Sequence, residues 1–186
     1  MDSQLGERPV TYGAVGATRA PDLLRFPPQG YRAVQASARI GHGARRFERA
    51  TALALQWGIQ HRSGFEVSVE DRPENAPAER LVPGDSVMLT ARILGMTRFR
   101  SPVRVVYTID EPNECGFAVG TLPGHQVEGE ESFLVEQRAD GSVWLTIRAF
   151  SRPAKGGWRG AAWLLRAGQW VVRRRFLWAL AGRIED

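Results

Sequence analysis

From residue 65 to residue 153 the chain repeats one pattern six times: short stretches in which apolar and polar side chains alternate, separated by turn formers. Alternation with a period of two marks strands that turn one face to a core. "FEVSV" puts Phe65, Val67 and Val69 on one side, and "SVMLTARIL" does the same with Val87, Leu89, Ala91 and Ile93. "PVRVVYTIDE" aligns Val103, Val105, Tyr107 and Ile109, and "CGFAVGTL", "ESFLVEQR" and "SVWLTIRAFSR" complete the set. The short connections favour an antiparallel meander. Residues 157–182 then carry no proline and an apolar stripe at helical spacing, with Trp158, Ala161, Ala162, Leu165, Val172, Phe176 and Leu180. A sheet with one apolar face needs a cover, and this helix is the only element long enough to lie across it. The expectation is an α+β fold in which a curved antiparallel β-sheet grips the long C-terminal helix.

Upstream, residues 1–30 are rich in turn formers ("GERP", "AP", "FPPQG") and read as an N-terminal arm. "YRAVQASARI" is a strand with Val34, Ala36, Ala38 and Ile40 on one face. "ARRFERATALALQWG" is a helix with Phe47, Ala50, Leu53, Ala54 and Trp57 on its stripe and Gly58 closing it. Residues 1–186 thus read as a single domain: arm 1–30, a strand, helix and meander over 31–153, and the helix 157–182. A chain of 186 residues can bury one sizeable core.

Composition excludes several classes. No run of eighteen apolar residues is present, so no transmembrane segment is expected. "MDSQLGERPV" lacks a basic stretch leading into an apolar one, so no secretion signal is expected. Cys115 is the single cysteine, which precludes an intramolecular disulfide and points to a reducing, cytoplasmic setting. The net charge is +5, but Lys155 is the only lysine and the arginines are scattered except at 173–175. No zinc-finger, helix-turn-helix or RNP pattern accompanies them, which argues against nucleic acid as a partner. The metal motif H-E-x-x-H, the phosphate-binding glycine strings and the G-x-S-x-G elbow are all missing, so neither a metal nor a cofactor is expected.

The last two strands can be placed in register. Gly141 suits the left-handed position of a three-residue turn, so residue 138 pairs with 142. Val135 then faces Leu145, Phe133 faces Ile147, and Glu131 faces Ala149, all on the core side. Glu128 and Glu130 fall on the opposite side, across from Arg152 and diagonal to Arg148, as surface charge pairs. Glu131 is therefore a carboxylate on an apolar face, near Ser151, and it must be paired, protonated or beside a wet mouth. His125 sits in the loop that leads to it and titrates near neutrality. Tyr107 and Thr121 also fall on the core side by alternation, where their hydroxyls need partners. His42 belongs to the strand-to-helix turn, His61 follows the helix, and Cys115 reads as an inert strand-end thiol.

"TYGAVGAT" (11–18), "GFAVGTLPGH" (116–125), "GEESFLV" (129–135) and "AFSRP" (149–153) resemble the DUF1990 family, a family named for having no assigned activity. The order of elements resembles the Bet v 1-like, or START-like, helix-grip architecture. Such folds have two short helices after the first strand, whereas the pattern here shows one. The resemblance implies an apolar cavity between sheet and C-terminal helix, and the first functional expectation is binding of a small hydrophobic molecule there. Tyr107, Thr121, Phe133 and Ser151 are the candidate ligand contacts. The alternative is an enzyme of the cyclase, hydrolase or isomerase kind, with Glu131 and His125 as the acid–base pair. A third expectation comes from Trp163, Trp170, Val171 and Trp178, which widen the stripe of the last helix beyond one face. That width suits a helix buried around more than half its circumference. With Arg173, Arg174 and Arg175 it also suits a peripheral membrane or protein contact.

Overall fold

The computed structural model describes residues 5–76, 80–93, 97–155 and 162–182. Seven antiparallel strands form one sheet in the order β1-β7-β6-β5-β4-β3-β2. The strands are β1 (Arg32–His42), β2 (Phe65–Asp71), β3 (Ser86–Ile93), β4 (Thr97–Glu111), β5 (Glu114–Thr121), β6 (Val127–Gln137) and β7 (Ser142–Pro153). Helices α1 (Ala44–Ala54) and α2 (Gly58–Arg62) connect β1 to β2, and α3 (Ala162–Ala179) follows β7. This is the α+β helix-grip arrangement expected from the pattern. Residues 157–161 of the expected helix, with Trp158 and Ala161, lie outside the described residues, as do the side chains of Ala162 and Leu165.

The β6–β7 register is the one the turn dictates. Gly141 has φ 77°, and Arg138 N–H donates to the Ser142 carbonyl at 2.9 Å. Val135 pairs with Leu145, Phe133 with Ile147 and Glu131 with Ala149. Phe117, Phe133, Val135, Leu145 and Ile147 are buried in the main core with Phe176 and Leu180 at the end of α3. Phe133 stacks on Phe117 with centroids 5.2 Å apart and meets Phe176 edge-on at the same distance.

Three expectations change. The single helix after β1 is two: Trp57 adopts a left-handed conformation (φ 61°), which breaks α1 and starts α2 at Gly58. Gly58 does not close a helix but permits a close approach, since a Cβ there would lie 2.6 Å from the Leu53 carbonyl oxygen. The front of the fold therefore has the two short helices that one-helix periodicity concealed, and His61 lies within the second. In β4 the register slips between Val105 and Tyr107, a β-bulge that reverses the alternation. Tyr107 pairs with Ala118, which in turn pairs with Ser132, so Tyr107 leaves the helix-facing side and joins the opposite one. The outer stripe of α3 is not buried. Trp163 is 72% exposed, Trp170 61% and Trp178 57%, so the sheet grips only the opposite flank of the helix.

Glu130 and its neighbours require the third surface of the fold, the N-terminal arm. Consecutive strand residues point to opposite faces, so Glu131 meets the core and Glu130 the other side. That side is not solvent: Glu130 is 2% exposed. The arm crosses it and wraps the carboxylate. Tyr12 Oη donates to Oε2 at 2.8 Å, Gly16 N–H to Oε2 at 2.7 Å and Thr18 N–H to Oε1 at 3.0 Å, and the Thr18 hydroxyl also donates to Oε1. Gly16 presents its N–H from a left-handed conformation (φ 83°). Gly120 leaves the room that Tyr12 fills, since a Cβ there would sit 2.3 Å from the tyrosine hydroxyl. Tyr12 and Tyr31 each meet Phe150 edge-on at 5.4 Å, closing a second small core with Leu23. Glu128 does pair with Arg152 (2.7 Å), as expected, but it is buried rather than on the surface, and Glu130 is an anchor rather than a surface charge.

Replacing Glu130 by alanine strands four donors in this junction. Glu130→Ala is expected to lower unfolding stability by roughly 3–5 kcal/mol, with Glu130→Gln, which keeps one acceptor oxygen, losing less. Denaturant titration measures both. Loss of the anchor should also speed tryptic cleavage at Arg19 and Arg25.

Candidate functional site

A cavity of about 250 Å³ lies between the helix-facing side of the sheet and α3. Its walls are mainly apolar: Phe65, Leu89, Val103, Val119, Phe133 and Ala149 from the sheet, Val172 and Phe176 from the helix. Larger clefts of about 420 Å³ also exist, and several charged side chains line each of them. One of them runs beside α3 with Arg32, Arg152, Arg166 and Trp170, and it shares Val127, Ser151, Gln169 and Arg173 with the cavity. Those four residues form the boundary between an apolar interior and a basic groove.

Glu131 and His125, from β6 and the loop before it, line this one cavity. The Glu131 carboxylate faces Arg173 of α3, with Oε1 3.5 Å from Nε. Arg173 is thus separated from its neighbours: its side chain is only 16% exposed, while Arg174 and Arg175 stay in solvent. Burial pushes the Glu131 carboxyl above the usual carboxylate range, and the Arg173 charge opposes that shift without cancelling it. The Glu131 side chain is 26% exposed and lines the pocket.

His125 is fixed by its own loop. Val127 N–H donates to Nδ1 at 3.1 Å, so the neutral ring carries its proton on Nε2, which has no protein partner among the described residues. Burial holds the imidazole down, to a pKa of about 4, outweighing the upward pull of the Val127 bond. The ring is therefore neutral at pH 7 and offers one N–H. No hydrogen bond joins it to Glu131, whose partner is the arginine. The two residues share a site as separate polar contacts rather than as a proton-relaying dyad.

The other expected contacts divide. Phe133 is fully buried in the cavity wall, and Ser151 lines the rim, where its hydroxyl accepts from Gln169 Nε2 at 3.2 Å. Thr121 lines the cavity too, but its hydroxyl is spent on structure: it accepts from Gly129 N–H at 3.0 Å and lies 2.6 Å from the Thr11 hydroxyl of the arm. Tyr107 is not in the cavity. The bulge sends it to the arm side, where its hydroxyl lies 2.7 Å from Thr18 Oγ1. Cys115 is buried at a strand end and its thiol is pushed up to about 11, as suits an inert group. Sequence reasoning missed Arg173 as the partner of Glu131, Gln169 at the rim, and Gln60, a buried α2 residue in the cavity wall. Helical spacing offered a signal for the first two, since positions 169, 172, 173 and 176 share one flank of α3.

Comparison with known proteins agrees with the fold. Residues 11–179 match the family described as a domain of unknown function, DUF1990, and the chain belongs to that family. A UPF0548 protein of Deinococcus radiodurans is 37% identical over 149 residues, covering 76% of this chain and 73% of its own. A UPF0548 protein of Arabidopsis thaliana is 43% identical over 60 residues, 28% of this chain and 29% of that one. Among solved structures, a hypothetical protein from Helicobacter pylori superposes with a TM-score of 0.57 at 9% identity, over 86% of this chain and 90% of that one. A START superfamily protein from Mycobacterium smegmatis gives 0.50 at 12% identity, over 83% and 97%. At those identities the structures show the fold alone. The family match starts at Thr11, so the arm that wraps Glu130 is part of the shared domain.

The His125 shift has a definite sign. A depressed pKa contributes stability that is present above the unfolded value of about 6.5 and lost as pH falls through the folded one. His125→Asn keeps an acceptor beside Val127 and removes the titration. The stability difference between wild type and variant is expected to be constant above pH 7 and to shift against wild type as pH falls toward about 4. Thermal melts across that range check it, and a pH-independent difference would show that the ring is not desolvated.

Proposed function

We propose that this DUF1990 protein binds a small hydrophobic molecule in the cavity between the sheet and α3. The observation that carries the reading is the cavity itself: apolar walls with a few placed polar groups, Glu131–Arg173, His125 and Gln169–Ser151 at one end. That composition is the usual one for ligand sites. Its volume of about 250 Å³ falls just under the range of about 300–1,000 Å³ common for such sites, so the occupant is compact rather than a long lipid. The acid–base alternative is the weaker reading, because His125 is tied to Val127 and Glu131 to Arg173.

A separate observation favours a second role. Trp163, Trp170 and Trp178 fall on one exposed flank of α3 with Arg174, whose guanidinium lies 5.7 Å from the Trp170 ring centre. No helix among the described residues is long and apolar enough to cross a membrane. An aromatic row flanked by Arg166, Arg174 and Arg175 suits the surface of an anionic bilayer, where tryptophan sits at the headgroup level and arginine meets lipid charge.

The cavity reading is tested with 1-anilinonaphthalene-8-sulfonate, an apolar dye with one anionic group for Arg173. Wild type is expected to bind it with enhanced fluorescence, and Ala149→Phe, which projects into the cavity opposite Glu131, to lose that binding while remaining folded. Equal binding by both proteins would place the dye elsewhere and sink the reading. For the second role, the protein is expected to sediment with phosphatidylserine-containing vesicles, less so at high salt, and Trp170→Ser/Trp178→Ser to abolish it; no sedimentation at low salt ends that reading.

A further inference from the structure

Gln60 is 0% exposed, and among the described residues neither its Oε1 nor its Nε2 has a hydrogen-bond partner. It sits on α2 and lines the cavity, whose walls are mainly apolar. A buried amide without partners is a costly state, and native folds rarely retain one without a compensating contact. Trp57 Nε1 and Ser63 Oγ, on either side in the chain, also lack hydrogen-bond partners among the described residues but do not border the cavity. Arg173 Nε borders it and lacks one too, but it faces the Glu131 carboxylate at 3.5 Å, which leaves Gln60 as the neutral unpartnered group there. The location fixes which end of the cavity this is. Arg62 Nε donates to the Ala179 carbonyl at 2.7 Å, so α2 meets the C-terminal end of α3. Arg173 lies six residues earlier on that helix, about 9 Å of helical rise away. The charged pair and the unpartnered amide therefore mark opposite ends, with the phenylalanines between them.

We propose that Gln60 is the specificity-determining anchor of the cavity, and that its ligand leads with a neutral group presenting a hydrogen-bond donor and acceptor side by side. This rests on the ligand-binding reading above. A glutamine amide offers one acceptor and two donors in a single plane. A carboxamide, a lactam or a protonated carboxylic acid satisfies both kinds of atom at once. A ketone or ether satisfies only the N–H side and leaves Oε1 bare. A carboxylate would do the same and add a buried charge, since Arg173, the one arginine among the described residues lining the cavity, already faces Glu131. The apolar body of the ligand then occupies the space between Phe65, Leu89 and Phe133, and any charged substituent extends toward Arg173.

Benzamide and α-methylstyrene have the same planar outline, and only the first can hydrogen-bond to an amide. Both are titrated by NMR into wild type and Gln60→Met, which keeps side-chain volume without the amide. The variant is expected to melt at or above wild type, to bind benzamide about tenfold more weakly or worse, and to bind α-methylstyrene at least as well. In wild type, benzamide should move the Gln60 side-chain amide resonances, a readout that needs no variant. Equal effects of the substitution on both probes, or unmoved Gln60 resonances with benzamide bound, overturn the anchor while leaving the cavity reading intact. If neither probe binds wild type, the cavity reading and the anchor fall together.

Discussion

A seven-stranded sheet is wider than one helix can cover, and the site follows from that mismatch. Six inter-strand spacings of about 4.8 Å make a sheet roughly 29 Å across, whereas a helix with its side chains is about 10–12 Å thick. Helices α1 and α2 fill one end of the helix-facing side, where Trp57 packs edge-on against Phe117 at 5.3 Å. Helix α3 crosses the rest and touches the sheet through Phe176, whose ring lies 5.5 Å from Phe65 and 5.2 Å from Phe133. What these contacts leave unfilled is the cavity. Its apolar walls are a by-product of building a core, so the information about function resides in the few polar groups that break them.

Strand β6 organises both sides of the sheet with two adjacent carboxylates. Glu130 collects the arm on one face, and Glu131 faces the cavity and Arg173 on the other. The four motifs that suggested the family meet around this pair. Tyr12 and Thr18 of the arm bind Glu130, Gly120 makes room for Tyr12, and Phe150 packs beneath it, while His125, Glu131 and Ser151 from the same segments line the cavity. The arm thus braces from behind the strands that carry the polar end of the site.

Much of this was legible in the sequence, and the parts that were not have specific causes. Alternation and one glycine turn were enough to pair Glu131 with Ala149 and Phe133 with Ile147, because a side-chain period of two admits a single register once one face is apolar. The same rule misplaced Tyr107, since a bulge adds one residue without changing composition. Glu130 looked like a surface charge because its donors lie more than a hundred residues away in a segment without periodicity. Gln60 was invisible for two reasons: the left-handed Trp57 hid the second helix, and a missing partner has no sequence signature. The tryptophans of α3 read as core by type, and only the narrow contact between sheet and helix puts them outside.

The most direct test of the account is native mass spectrometry of the full chain after dialysis against a total small-molecule extract. Binding in the cavity predicts one stoichiometric adduct of small organic mass, retained by wild type and absent from Ala149→Phe under the same conditions. An unliganded wild-type spectrum, or an adduct that survives the filled cavity unchanged, would contradict it.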